Sequence, residues 1–188
     1  MGIALIAGLG NPGPQYRNTR HNVGFALIDR LAEATGIDVT REKHKGLYGE
    51  GRWQGHKIRL LKPQTFMNRS GESVSLAARN SVEDAAGVLV VYDEAELPLG
   101  RLRLRPDGSA GTHNGMKSVI EYLGVQEVPR LRLGVGAKAE GQDLADHVLG
   151  GFRPDERPVV EEMIARAVQA VLRCVEAGVD AAMNEFNR

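Results

Sequence analysis

Ile3-Ala4-Leu5-Ile6-Ala7-Gly8-Leu9-Gly10-Asn11-Pro12-Gly13 opens the chain with five consecutive apolar residues that run into a loop rich in glycine and proline. A short apolar run bounded by turn residues reads as a buried strand, here Ile3–Ala7. The loop continues to about Thr19, and helical spacing then takes over with Val23, Ala26, Leu27, Leu31 and Ala34 before Gly36. A strand, a loop and a helix in that order set the class as α/β, and the rest of the chain repeats the alternation.

Tyr48–Trp53 and Lys57–Leu61, separated by Gln54-Gly55, read as a hairpin. Val74, Leu76, Ala77 and Ala78 give a helix beginning near Ser70, and Val88–Tyr92 is a β-branched buried strand ending on Asp93. Arg101–Arg105 alternates strictly as a strand does, and Thr112 or His113 opens a helix carrying Met116, Val119, Ile120 and Leu123. Leu131–Val135 is a further strand. A long amphipathic helix carries Val159, Met163, Ile164, Ala167, Val168, Val171, Leu172 and Val175, and Val179–Phe186 forms a last short one. The expectation is one domain over residues 1–188, a mixed twisted sheet flanked by helices.

Composition agrees. The 188 residues are 42% hydrophobic and 26% charged, globular proportions that exclude a disordered, collagenous or coiled-coil chain. The single cysteine, Cys174, cannot form an internal disulfide, the start lacks a basic leader, and no apolar run approaches the roughly 20 residues of a membrane span. The expectation is a monomer in the cytoplasm, without membrane contact. Lys and Arg number 24, as do Asp and Glu, so any site for a polyanion must come from local clustering.

The Gly8–Gly13 loop matches G-x-G-x-x-G, but a dinucleotide site needs a helix opening directly at the loop. Pro12 and Pro14 instead stiffen an irregular stretch, and helical periodicity starts only beyond His21. The glycines better serve to present Asn11 at the end of the first strand.

Open α/β sheets bind ligands at the carboxyl ends of their strands. Asn11, Asp93 and the Thr112-His113-Asn114 cluster lie at or just past such ends, while His21 and Asn68 lie at junctions before helices. Each also fits a plainer role: Asn11 as a turn former, Asn68 or Ser70 as a helix cap, Asp93 as an acceptor for its own loop, His21 and His113 as helix-start residues. The five histidines lack metal-site spacing, there is no G-x-S-x-G elbow, Ser109 suits a polar loop, and Cys174 suits packing. A His–Asp pair with several amide donors remains, which suits general-base activation of water and support of an oxyanion.

Strand periodicity puts Arg101, Arg103 and Arg105 on one face, and Arg130 and Arg132 repeat the pattern. With Lys117 one turn beyond His113, these residues outline a phosphate-binding surface, and Tyr16, Phe66 and Met67 offer stacking or apolar surface beside it. Core packing accounts for Phe66 and Met67 equally well.

Five motifs then occur in order: Gly8–Gly13 with Tyr16, Asn18-Thr19-Arg20-His21-Asn22, Lys62–Gly71, Tyr92-Asp93-Glu94, and Gly111–Lys117. Together they resemble bacterial-type peptidyl-tRNA hydrolase over essentially the whole chain. The resemblance implies a single α/β globule and hydrolysis of the ester joining a peptide to the 3′-terminal ribose of tRNA, recycling tRNA without metal or cofactor. His21 matches the family's proton acceptor and Asp93 the acid that keeps it basic. Asn11 matches the residue that separates a blocked peptidyl group from a free aminoacyl one. Tyr16, Phe66, Asn68 and Asn114 match positions contacting the tRNA end or peptide, and Met67 and His113 line the same cleft. One departure is Thr112, where the family commonly has glycine; a β-branched residue there has no easy access to positive φ, which bears on the pose of Asn114. A related protein acts as a binding module in RNA splicing without evident hydrolysis. His21, Asp93, Asn11, Asn68 and Asn114 all stand in this chain, which favours the enzyme.

Overall fold

The computed structural model describes residues 2–188. Seven strands form one sheet in the order β2-β3-β4-β1-β5-β7-β6. They are β1 (Leu5–Gly8), β2 (Arg41–Lys43), β3 (Gly46–Trp53), β4 (His56–Pro63), β5 (Val88–Glu94), β6 (Leu102–Arg105) and β7 (Arg130–Gly134). The four central strands β4, β1, β5 and β7 are parallel, and antiparallel pairs close both margins. The uninterrupted apolar character of β1 and of Val88–Tyr92 follows from this position: both strands are covered by helices on the two sides. The hairpin joins β3 to β4 through Gln54 (φ 46°) and Gly55 (φ 82°), the paired positive dihedrals that a tight two-residue turn requires.

One face of the sheet carries α1 (Val23–Thr35), α5 (Arg157–Ala177) and α6 (Val179–Phe186), and the other carries α2 (Ser70–Arg79) and α3 (Asn114–Leu123). The chain leaving β1 turns to the first face and the chain leaving β4 turns to the second, so a crevice opens beyond the carboxyl ends of the parallel strands. Close approach of α1 to that crevice depends on Gly24, where a Cβ would lie 2.5 Å from the Leu9 carbonyl oxygen.

Two elements carried no readable pattern. β2 is three exposed residues, and α4 (Leu144–Val148) is five residues long, too short to show periodicity. The last strand runs one residue earlier than its apolar alternation suggests, because Arg130 pairs with Arg105 and belongs to the ladder. Among the described residues no helix is long and apolar enough to cross a membrane.

Candidate active site

Asp93 stands at the end of β5 with only 2% of its surface exposed. An isolated carboxylate in such a place would be costly, and two imidazoles resolve the cost. His21 Nδ1 lies 2.8 Å from both carboxylate oxygens, and His113 Nε2 lies 2.9 Å from Oδ1. Burial pushes the Asp93 carboxyl up, but His113 and then His21, through charge and hydrogen bonding, outweigh it and hold the group at about 2.

The two histidines differ in what their other nitrogens do. His113 precedes α3, and its Nδ1 accepts the Met116 N–H at 3.1 Å, so its proton sits on Nε2 and points at Asp93. Both of its nitrogens are committed. His21 uses Nδ1–H toward Asp93, which leaves the Nε2 lone pair for the cleft that His21 lines. The three groups also have the donor types of a metal site, but their 2.8–2.9 Å separations are direct hydrogen bonds. Ligand atoms around a tetrahedral ion with ~2 Å bonds sit roughly 3.3 Å apart.

Asn11 is buried rather than perched on a turn. Its backbone N–H donates to Asn22 Oδ1 at 2.8 Å and its carbonyl accepts from Asn22 Nδ2 at 2.9 Å, so the Asn22 amide completes Asn11 as a neighbouring strand would. Asn11 Oδ1 then accepts the Met67 N–H at 2.7 Å. That contact orients the amide and leaves Nδ2 as a donor for the cleft. The role of Asn22 carries no signal in sequence, and no side-chain cap bond forms at α1.

The Met67 anchor also fixes Phe66, whose φ of 65° and ψ of 156° lie in a region that side chains other than glycine rarely enter. The ring is half exposed at the cleft mouth, edge-on to Tyr16 with centroids 6.5 Å apart. Asn68 lies in the 3-10 turn Met67–Arg69 and Ser70 Oγ donates to the Met67 carbonyl, so neither caps α2. Asn68 and Asn114 are exposed and line the cleft with Asn11, His21, Met67, Asp93 and His113. Its volume is about 630 Å³. The opposite wall is Leu144, Ala145, Val148 and Leu149, from α4 and the residue after it, a wall with no sequence signature. In the neighbouring loop Gly111 takes the positive φ (56°), so Thr112 meets no backbone conflict.

A family model described as peptidyl-tRNA hydrolase matches residues 5–188. This chain belongs to the peptidyl-tRNA hydrolase family. A peptidyl-tRNA hydrolase of Synechococcus sp. (strain JA-2-3B'a(2-13)) is 57% identical over 186 residues, spanning 98% of this chain and 83% of that one. One from Caldanaerobacter subterraneus subsp. tengcongensis is 49% identical, spanning 97% and 98%. The crystal structure of peptidyl-tRNA hydrolase from Acinetobacter baumannii superposes with a TM-score of 0.93 at 36% identity, covering 98% of this chain and 94% of that one. Peptidyl-tRNA hydrolysis is accordingly the activity of this chain.

In this hydrolase the basic residues part company. Cross-strand pairing sets Arg103 opposite Arg132 and Arg105 opposite Arg130 on one face. Arg130 is nonetheless buried, with its guanidinium donating to the carbonyls of Val128, Ser109 and Gln126. Arg132 lies 3.5 Å from Glu94, and its Nε is buried without a partner. Arg105, Arg130 and Arg132 line a second cavity of about 390 Å³ together with Glu94, Glu96 and Asp107, and Thr112 borders both it and the cleft. Arg101, Arg103 and Lys117 lie outside both cavities. Cys174 is buried and its thiol is pushed up to about 12 by burial, in keeping with packing.

The strained backbone at Phe66 yields a stability test. Phe66→Gly and Phe66→Ala both remove the ring, but only glycine relaxes the dihedrals. Strain of about 1–3 kcal/mol, less the ~0.4–1 kcal/mol entropic penalty of glycine, leaves Phe66→Gly more stable by about 1 kcal/mol in denaturant unfolding. Equal or lower stability of the glycine variant would show that Phe66 is unstrained.

Proposed function

We propose that His21 is the general base of peptidyl-tRNA hydrolysis. Neutral His21 Nε2 takes a proton from water as the water oxygen bonds to the ester carbonyl carbon. Asp93 steadies the imidazolium that results, and amide donors from Asn11, Asn68 and Asn114 hold the substrate and the developing oxyanion. The intermediate then collapses, the ester C–O bond breaks, and the imidazolium returns its proton to the departing ribose oxygen. Free tRNA and peptide leave, which recycles tRNA from stalled or aborted translation. The observation that carries this reading is the shared carboxylate, which commits His113 at both nitrogens and His21 at only one.

Tyr16, Phe66 and Met67 give the tRNA end and the first peptide residue an aromatic and apolar seat beside the ester. Arg105 and Arg132, in the cavity bordering the cleft, meet phosphates of the acceptor stem, with Arg103 and Lys117 reinforcing the positive field outside it. The chain works as a monomer in the cytoplasm. Arg130 supports this surface from beneath, and Arg130→Ala is expected to act on folding, since it orphans backbone carbonyls.

His21→Ala should lower kcat by roughly 10²–10⁴-fold with substrate still bound, the usual worth of a general base. Asp93→Asn should also lower kcat, because the anion that steadies the imidazolium is gone. A near-normal His21→Ala rate, or an unchanged rate in Asp93→Asn, sinks the assignment.

Salt dependence tests the RNA surface. Arg105→Ala should make the log–log salt slope of binding to full-length peptidyl-tRNA shallower by about one, and should raise KM more than it lowers kcat. A short substrate with the same peptide–ribose ester and no stem should be unaffected. Equal losses on both substrates would assign Arg105 to the fold or the chemistry.

A further inference from the structure

His21 rides on Arg20–Asn22, a single 3-10 turn with no side-chain cap. A turn of that kind has little rigidity of its own. Asn22 fastens it on one side to Asn11, as described above. On the other side Arg20 is buried, and its side-chain hydrogen bonds run to Val135 and Glu156, the two ends of the stretch 135–156 that carries α4.

Arg20 Nη1 donates to the Val135 carbonyl and Nη2 to Glu156 Oε2, each at 2.8 Å. The guanidinium lies 4.8 Å from the centre of the Phe152 ring, and the Arg20 backbone N–H donates to the Gly150 carbonyl at 2.9 Å. Thr19 adds an isolated antiparallel bridge to Gly151. Glu156 is buried too, accepts the Arg153 N–H, and stands at the head of α5. His147 Nε2 donates to the Gly136 carbonyl and closes the base of the α4 segment on itself. Arg20 therefore grips both ends of the stretch whose middle, Leu144 to Leu149, forms the apolar wall of the cleft.

We infer that Arg20, through its buried pair with Glu156, is a positioning residue that holds the His21 turn and the α4 wall in one register. The inference rests on the reading of His21 as the base. Stability alone is a poor account of the pair, because two charges taken out of water gain little over well-packed apolar side chains. What an apolar pair cannot supply is direction: two donors at fixed angles to a carbonyl and a carboxylate. A displacement of about 1 Å between base and substrate seat is enough to cost a hydrolase about 10²-fold in rate.

The test compares Arg20→Met/Glu156→Met, Arg20→Lys and Glu156→Gln in the full-length chain, by thermal unfolding and by kinetics on peptidyl-tRNA across pH. The double variant leaves the Val135 carbonyl and the Arg153 N–H without their partners and should melt below the wild-type temperature, yet when scaled to the folded fraction it should still lose about 10–100-fold in kcat/KM with its pH profile unmoved. Arg20→Lys should recover part of that loss. Wild-type kcat/KM in the folded double variant, or a loss that disappears when scaled to the folded fraction, overturns the inference. Should the double variant not fold, Glu156→Gln decides: it keeps an acceptor without charge and should lose at least about threefold, and no loss overturns the inference. His21→Ala run alongside separates the two readings. Near-normal turnover there overturns the base assignment and this inference with it. An inactive His21→Ala beside a fully active double variant overturns the positioning role alone.

Discussion

The carboxylate of Asp93 is almost wholly removed from water, and a charge in that position persists only with hydrogen-bond donors on it. Two imidazole N–H groups meet the need, and meeting it fixes the tautomer of each ring. The His113 ring is held between Asp93 and the first turn of α3, while the His21 ring is held by Asp93 alone. An uncommitted Nε2 on His21 thus follows from an electrostatic requirement of the interior. The requirement arises because β5 is a central strand, buried along its length until it delivers Asp93 at its carboxyl end.

Around this pair the fold repeatedly uses asparagine amides where backbone might stand. Asn22 pairs with Asn11 through both a donor and an acceptor, and Asn187 does the same with Leu104 on the edge strand β6. In both cases a side chain satisfies backbone groups that the sheet leaves open. The Asn11 amide passes the constraint onward to Met67, and the strain at Phe66 is held by that contact. An exposed aromatic ring, an amide donor and the turn that carries His21 are thereby tied to one another through short bonds.

Much of this was readable in residue types. The apolar runs of β1 and β5, the Gln54-Gly55 turn and the long repeat of α5 carry their periods openly, because burial on a sheet or a helix face imposes them. His21, Asp93 and the asparagines stood at strand ends and helix junctions, but their convergence is a property of the parallel order β4-β1-β5-β7, which spacing along the chain does not encode. Arg130 shows the limit most clearly. Its alternation with Arg132 matches that of a solvated basic strand, and only the carbonyls of Val128, Ser109 and Gln126 reveal that its charge faces inward. The α4 wall escaped for a different reason: five residues hold no period, and their place depends on contacts made by Arg20 far away in sequence.

The account turns on which nitrogen of His21 carries the proton. Long-range ¹H–¹⁵N correlation of the histidine side chains, in the free protein at a pH where both rings are neutral, reads this directly. The expected result is His21 protonated on Nδ1 and His113 on Nε2, with the His21 assignment lost in Asp93→Asn and that of His113 kept by the Met116 N–H. A His21 ring protonated on Nε2 in the wild-type protein would leave no lone pair facing the ester and would contradict the account.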